Sequence, residues 1–336
     1  MWKCPICGSA TDDERPDCSN CGMVRIGPGT NEKYEILRGY LPPLSLIMRN
    51  QGYEHYFIDA CAGSGMVFDS EKGAMTEGSP MIMAKTREVV QSKIRDKTKS
   101  HEVKCACIEV DEKTYGHLKQ NLSPFSDFVT TIRGDCNDKL DQLLDDISSE
   151  VKEKNHFAFV YIDPFGFGKP TIQRKTIERV FERKFTELLI HFTWEGVSRL
   201  AGYSMKVDAP DPTVAKTAKS YVQVLDAYLG EGWRAIEERN LSPVRRRTEY
   251  VQLYHSRLQE HYPFSMFTEI PVGNQNPNYY LFFATRNHRG YEIMKRVIEK
   301  VRLKGSEPLD KFSQPNGNKK TTGPDQSRLD GFWTLP

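Results

Sequence analysis

The predicted fold is decided by the stretch Tyr56–Gly65, which reads YFIDACAGSG. Its first half is apolar, as in a strand buried within a sheet, and it ends at the carboxylate of Asp59. Gly63 and Gly65 then indicate a tight turn, because glycine adopts backbone conformations and permits close ligand approach that a Cβ would forbid. Taken alone, this pattern is more often a structural turn than the site of a nucleotide-like ligand.

Two later stretches repeat the pattern of an apolar run that ends in acid. They are Cys105–Asp111, reading CACIEVD, and Phe157–Gly166, reading FAFVYIDPFG. Strands that are apolar throughout and end in a carboxylate are typical of the ligand edge of an open parallel sheet. The sequence therefore predicts an α/β fold with a functional site at the carboxyl ends of its strands.

Three of these features together resemble an S-adenosylmethionine-dependent methyltransferase of the Rossmann-like kind. They are the Asp-x-x-x-Gly-x-Gly turn that starts at Asp59, the acidic strand end at Glu109 and the Asp-Pro-aromatic tetrad that starts at Asp163. The resemblance implies a mostly parallel sheet with an antiparallel edge hairpin. It also implies S-adenosylmethionine as the cofactor.

A closer resemblance is to the three-Cys-motif partner protein family. It is carried by Lys33–Leu37 with the following Tyr40-Leu41, by Gly78-Ser79-Pro80 and by Asp163–Gly166. These motifs occur in the family's order across residues 31–302. The family name implies a second protein of the three-Cys-motif type as a possible partner.

The predicted cofactor site follows the ends of the first three strands. Asp59 is the candidate carboxylate for the sulfonium cation, and Glu109 can accept hydrogen bonds from both ribose hydroxyls. The resemblance implies that Asp135 meets the adenine amino group. The alternatives are a surface acid for Glu109 and an Asx turn for Asp135. The full predicted set is Asp59, Ala60, Gly63, Gly65, Glu109 and Asp135.

A polar segment, Met66–Gly78, separates the glycine turn from the next helix, which we expect to start at Ser79-Pro80 with Ser79 as its cap. The segment stands where a lid over the cofactor would lie. Without a helix N-terminus directly after the turn, the site would lack the dipole that receives a pyrophosphate. This expectation favours S-adenosylmethionine, which carries no phosphate, over NAD.

Asp163, Pro164 and Phe165 are the predicted catalytic residues. The segment resembles the Asp/Asn-Pro-Pro-aromatic motif of enzymes that methylate exocyclic amino groups of bases, with Phe165 at the second proline and Gly166 at the aromatic position. The Asp side chain and a carbonyl would accept hydrogen bonds from the amino group while Phe165 stacks on the base. An amino nitrogen needs orientation more than a strong base. The alternative is a plain strand-ending turn.

Near the N-terminus, Cys4, Cys7, Cys18 and Cys21 form two Cys-x-x-Cys pairs. This spacing brings four thiolates to the corners of a tetrahedron, the geometry that zinc prefers. Such a site has no open position for water or substrate, so we predict a structural zinc ribbon over residues 1–26. The alternatives are two disulfides or four free thiols.

The remaining segments predict a methyltransferase domain over residues 31–303. A helix over about 32–50 should be capped by Asn31 and kinked at Pro42-Pro43. We expect a helical insertion near 196–244 and an edge hairpin over 264–285. Between Arg286 and Lys304 lie seven Lys or Arg and two Glu, the most basic stretch of the chain, and residues 305–336 read as an extended tail.

Composition excludes some classes of protein. Aromatic residues make up 11% of the chain, too many for a disordered protein, and the net charge of +2 means that a nucleic-acid surface needs local clustering of charge. No segment matches a signal peptide or the roughly 20 apolar residues of a membrane span. With its paired and buried cysteines, the chain is predicted to be cytoplasmic without a membrane partner.

These observations predict an S-adenosylmethionine-dependent methyltransferase that acts on a base of DNA or RNA, at an exocyclic amino nitrogen. One alternative is a non-catalytic methyltransferase-like module that binds or assembles with a second protein. Another is methylation of a protein or a small molecule.

Overall fold

The structure is a computed structural model, and it describes residues 1–12, 17–94, 103–150, 156–164, 172–270 and 279–306. The first half of the chain forms short N-terminal strands and then alternating strands and helices. In order these are β1 (Trp2–Lys3), β2 (Ala10–Thr11), β3 (Arg25–Ile26), α1 (Pro28–Asn50), β4 (Glu54–Asp59), β5 (Met66–Asp69), β6 (Ala74–Glu77), α2 (Ser79–Lys93), β7 (Val103–Glu109), α3 (Glu112–Leu122), β8 (Val129–Arg133) and α4 (Cys136–Glu150).

The second half continues the alternation, inserts a group of helices and closes with a hairpin and a helix. In order these are β9 (His156–Ile162), α5 (Arg174–Phe181), β10 (Thr186–Thr193), α6 (Trp194–Ser204), α7 (Pro212–Leu229), α8 (Trp233–Glu237), α9 (Pro243–Gln259), β11 (Phe264–Ile270), β12 (Tyr279–Thr285) and α10 (His288–Ser306).

The main sheet has seven strands in the order β11-β12-β10-β9-β4-β7-β8. The pairs β10/β9, β9/β4, β4/β7 and β7/β8 are parallel, whereas β12 is antiparallel to both β10 and β11. The predicted fold class, a Rossmann-like, mostly parallel sheet with an antiparallel edge hairpin, is confirmed. The turn between β11 and β12 falls outside the described residues.

Helices cover both faces of this sheet, which explains why the middle residues of its central strands are apolar on both sides. On one face, Phe57 and Phe159 pack with α1, α2 and α10. On the other face, Ile58 and Val160 pack with α4 to α9. Neighbouring residues of one strand therefore contribute to two separate cores, as the period of two in a strand requires.

The order in which the chain adds strands to the sheet reverses between β4 and β9. From β4 it adds β7 and β8 on one side, and it then crosses to place β9 on the other side of β4. Ligands of open α/β sheets bind in the crevice at such a reversal, outside the carboxyl ends of the strands. Here that crevice is bordered by Asp59 at the end of β4 and by Asp163 directly after β9.

Helix α1 starts earlier than the sequence predicts, at Pro28, and continues through Pro42 and Pro43. Asn31 is therefore not the cap. It lies in the first turns of the helix, and its amide donates a hydrogen bond to Asp69 Oδ2 at 3.0 Å. The helix persists across the prolines because the apolar residues beside them, such as Leu41, are fully buried against the sheet.

The segment between the glycine turn and α2 forms the antiparallel hairpin of β5 and β6. Strand β5 also pairs in parallel with β3, which follows the cysteine pairs. Met23 is buried beside Cys4 and Cys18, and Met75 of the hairpin packs against the same cluster. The segment predicted as a lid thus holds the N-terminal residues against the rest of the protein.

Candidate active site at the carboxyl edge of the sheet

The glycine turn is closed by the start of α2. Gly63 and Gly65 have φ values of +64° and +80°, the left-handed region that favours glycine. Although the β5–β6 hairpin intervenes in the sequence, Gly78 N donates a hydrogen bond to Gly65 O at 2.8 Å. The cap of α2 is Gly78, and Ser79 is the first helical residue, not the predicted cap.

The predicted separation of the α2 N-terminus from the glycine turn is therefore wrong. The insertion was expected to move the helix N-terminus away from the turn, but the hairpin returns the chain to its starting point, so α2 begins beside Gly65. The absence of a helix dipole cannot favour S-adenosylmethionine over NAD. Which ligand this edge suits depends on its carboxylates.

Asp59 is completely buried at the end of β4. Its Oδ1 accepts a hydrogen bond from Cys61 N at 3.3 Å, whereas Oδ2 has no hydrogen-bond partner among the described residues. Burial raises the pKa of this carboxyl to about 7. The side chain of Ser79 and the backbone N–H of Cys61 oppose the rise, and the carboxylates of Asp163 and Glu109 add to it. A buried oxygen without a partner is costly, so Asp59 suits a ligand that brings a cation or a hydrogen-bond donor.

Glu109, at the end of β7, connects the second strand to the glycine turn. Its Oε2 accepts from Gly63 N and its Oε1 from Asp111 N, both at 2.8 Å. Burial raises the pKa of Glu109. A carboxylate has about four lone-pair sites, so both oxygens retain capacity for the hydroxyls of a ribose.

Asp135 follows β8 at the same edge. Its Oδ1 accepts from Asn137 N at 2.8 Å and from Asn137 Nδ2 at 2.9 Å. This is the Asx turn that the sequence left open as an alternative, and it leads into α4. The turn and a contact to a ligand are compatible, because a carboxylate can accept more than two hydrogen bonds.

Asp163 is the centre of a buried polar cluster. Lys33 Nζ lies 2.6 Å from its Oδ2, which also accepts from Tyr161 OH at 2.9 Å. His191 Nδ1 lies 2.6 Å from its Oδ1. Burial alone would raise the pKa of Asp163, but Lys33 and His191 outweigh it and hold that pKa well below its usual range. Asp163 is therefore an ionised acceptor.

The sequence did not reveal this cluster. Lys33 was noted only as part of a family motif, and a single histidine in an apolar strand, such as His191, is more often a hydrogen-bonded core residue than a catalyst. The register explains the contact with His191, because Ile190 pairs with Ile162 in the parallel β9/β10 ladder, so the residues that follow them are neighbours. Of the other predicted catalytic residues, Pro164 follows Asp163 and Phe165 lies outside the described residues.

The four N-terminal cysteines form a candidate metal centre. Their sulfur atoms all lie within 4.8 Å of one another, with Cys4 and Cys21 at 3.5 Å and Cys7 and Cys18 at 3.6 Å. A tetrahedral site with Zn–S bonds of about 2.3 Å separates its sulfurs by roughly 3.8 Å. A disulfide needs about 2.05 Å, and all four cysteines are free. The arrangement fits zinc and excludes the disulfide alternative.

No family model and no curated protein matches this chain. Among solved structures, it is similar to an O-methyltransferase from Bacillus cereus in complex with SAH, with 14% identity, a TM-score of 0.31 and coverage of 75% of this chain and 80% of that one. It is similar to spermidine synthase from Thermotoga maritima, with 13% identity, a TM-score of 0.38 and coverage of 94% and 75%.

An RNA methyltransferase from Salinibacter ruber in complex with S-adenosyl-L-homocysteine is also similar, with 14% identity, a TM-score of 0.25 and coverage of 46% of this chain and 73% of that one. None of the helices in the described part of the chain has both the length and the apolar character of a membrane span. A functional assignment therefore depends on the geometry of the site itself.

Proposed function

We propose that this protein is an S-adenosylmethionine-dependent methyltransferase that modifies an exocyclic amino nitrogen of a nucleic-acid base. The observation that carries this proposal is the buried Asp59, whose Oδ2 lacks a partner among the described residues at the crevice where the sheet reverses. S-adenosylmethionine, when bound, supplies the methyl group, and its cationic end suits a buried carboxylate. A dinucleotide would instead place its negative charge beside the carboxylates of Asp59, Glu109 and Asp135.

On this proposal, the residues at the ends of β4, β7 and β8 hold the cofactor. Asp59 faces positive charge, and Glu109 accepts from the ribose while it holds Gly63 in place. Gly63 and Gly65 permit close approach of the backbone to the ligand. The proposed set is Asp59, Ala60, Gly63, Gly65, Glu109 and Asp135.

Asp163 and Pro164 would form the acceptor side of the crevice, with Phe165 as the residue that stacks on the base. Lys33 and Tyr161 already use Asp163 Oδ2. Its Oδ1 faces His191 and retains one further lone pair for an amino N–H. Because Asp163 stays ionised, it would orient the amino group and not protonate it.

The choice of a nucleic acid is supported by α10. Lys295, Arg296 and Lys300 are exposed, and none forms an ion pair with a described residue. Arg302 of the same helix donates to Glu269 O at 3.3 Å, near the end of β11. Since β11 and β10 run in the same direction, this basic face meets the edge of the sheet that carries the site. Phosphate contacts by lysine and arginine dominate nonspecific affinity for nucleic acids.

The proposed metal is a structural zinc ion held by Cys4, Cys7, Cys18 and Cys21, which would stabilise the N-terminal ribbon and take no part in the chemistry. Thiolate ligands must remain reduced, which is consistent with a cytoplasmic protein.

A labelled-methyl assay tests the proposal. The purified protein should bind S-adenosylmethionine and transfer its methyl group to DNA or RNA, and mass spectrometry of the nucleosides should identify the modified base. We expect Glu109→Gln to weaken cofactor binding at least ten-fold in calorimetry, because charge-assisted hydrogen bonds contribute about 1.5–3 kcal/mol.

Glu112→Gln is the matched control for that variant. Glu112 is an exposed acid three positions away whose ion pair is with Arg133, and it should leave the affinity unchanged. If Glu109→Gln binds S-adenosylmethionine as tightly as the wild type does, the proposed ribose contact is contradicted.

The second candidate function is a non-catalytic module that binds a partner of the three-Cys-motif type. It is favoured by one observation, namely that Asp163 is already surrounded by Lys33, Tyr161 and His191, as in a structural ion-pair network. Cofactor binding without methyl transfer to any DNA, RNA, protein or small-molecule pool would support this candidate over the enzyme.

A further inference from the structure

The contact with Asp163 favours one tautomer of His191. Its Nδ1 lies 2.6 Å from Asp163 Oδ1 inside the polar cluster. A bare ring nitrogen and an ionised oxygen at this separation would repel, because both present lone pairs. Nδ1 therefore carries the proton, and in the neutral ring Nε2 carries the free lone pair.

Nε2 is the unusual atom of this ring. The side chain is only 7% exposed, and neither ring nitrogen forms a hydrogen bond of regular geometry with a described residue. Nδ1 has the short contact with Asp163 Oδ1, whereas no such contact is found for Nε2 among the described residues. The ring packs against Tyr279, with centroids 5.0 Å apart and planes 30° apart. Leaving such an acceptor buried and unpaired is unfavourable. A histidine that served only to pack in the core would avoid this cost.

We infer that His191 is the general base of this site, with Nε2 taking the proton that the acceptor loses during methyl transfer. This inference rests on the proposed function. As the bond from the acceptor nitrogen to the methyl carbon forms, the methyl–sulfur bond breaks and the sulfur keeps its electron pair. The N–H proton passes to Nε2, so the positive charge lost at sulfur appears on the imidazolium, which Asp163 stabilises.

The groups around His191 favour the neutral form of its imidazole. Burial lowers its pKa, Lys33 of α1 lowers it further, and Asp163 after β9 opposes both. Tyr161 and Tyr279 face the cluster as neutral groups, because burial raises the pKa of each. The imidazole is therefore neutral near pH 7 and can accept a proton.

The tautomer can be measured on the cofactor-free protein by nitrogen NMR of its histidine side chains, with His191→Gln identifying the signals of His191. We expect a protonated Nδ1 and an unprotonated Nε2 at pH 7, with a pKa below the usual value for histidine. An Nε2–H tautomer, or an imidazolium at pH 7, would overturn the inference whether or not the protein is active.

Kinetics give the second test. His191→Gln should lower kcat by about 10²- to 10⁴-fold, change KM and cofactor affinity much less, and remove the fall in rate on the acid side of the wild-type pH profile. The control is His255→Gln, because His255 is also a partly buried histidine with a lowered pKa, paired with Ser265 at 2.9 Å. It should keep the wild-type profile.

The outcomes separate this inference from the proposed function. Transfer by the wild type together with an unchanged rate and pH profile in His191→Gln would remove the base but keep the methyltransferase. A wild-type protein that transfers no methyl group to any amine or nucleic acid would overturn both.

Discussion

At the scale of single residues, the two carboxylates that border the crevice are held in different states. Asp59 has no cationic partner among the described residues, so burial raises its pKa to about 7. Asp163 is equally buried, but the cation of Lys33 and the ring of His191 hold its pKa well below the usual range. Titratable groups whose environments move their pKa values apart are characteristic of functional sites.

This difference predicts how stability depends on pH. The unfolded carboxyl of Asp59 titrates near pH 4, and the folded one near 7. Between these values the folded state binds more protons, so the contribution of this group to stability falls as pH rises. We expect Asp59→Asn to raise the melting temperature at pH 8 by several degrees, to have little effect at pH 4, and to weaken cofactor binding at least ten-fold.

Thermal unfolding at several pH values, followed by circular dichroism, measures this. Asp127→Asn is the control, because Asp127 is an exposed carboxylate in an ion pair with Arg87 and its substitution should have only a small effect. A lower melting temperature for Asp59→Asn at pH 8 would mean that the ionised carboxylate stabilises the cofactor-free protein.

At the scale of secondary-structure elements, the hydrogen bond between Gly78 and Gly65 connects the start of α2 to the glycine turn after β4. A Cβ on Gly78 would lie 2.9 Å from Gly65 O, a backbone atom that cannot move without displacing the turn. We expect Gly78→Ala to destabilise the protein by about 1–3 kcal/mol and to weaken cofactor binding.

Gly27→Ala is a matched control for this prediction. Gly27 also caps a helix with proline in its first turn, but a Cβ there would meet no atom within 4 Å. The stability of Gly27→Ala and its affinity for the cofactor should stay close to those of the wild type. Denaturant unfolding and calorimetry on both variants measure the difference, and identical results for the two glycines would show that the turn is not held by α2.

At the scale of the whole molecule, the cysteine ribbon belongs to the same packed unit as the sheet. Strand β3 pairs with β5, and a Cβ on Gly22 would lie 2.8 Å from Thr114 Oγ1 of α3. The first contact is with the strand that follows the glycine turn, and the second is with the helix that follows Glu109. Loss of the metal should therefore affect the cofactor edge as well as the N-terminus.

We expect one equivalent of zinc in the purified protein. Cys7→Ser, or removal of the metal by a chelator, should lower the melting temperature and weaken S-adenosylmethionine binding. Cys136→Ser changes a buried cysteine far from the ribbon in sequence and should retain the metal. Elemental analysis with much less than one equivalent of zinc in freshly prepared protein would refute the metal site.

The sequence by itself determined the parallel strands and the edge of the sheet at which their carboxylates lie. The apolar runs that end at Asp59, Glu109 and Asp163 predicted three parallel strands, because strands buried on both faces are apolar throughout. The cysteine spacing predicted the four-sulfur cluster, because two short turns suffice to bring these thiols together. Each of these features is local, so the pattern along the chain was enough to identify it.

The tertiary structure alone decided which side chains meet across the crevice. Lys33 reaches Asp163 from a helix 130 positions earlier, and His191 reaches it through the register of two parallel strands. The start of α2 returns to Gly65 only because the intervening hairpin closes on itself. These contacts depend on how separate elements pack, and neither hydrophobic periodicity nor motif spacing carries that information.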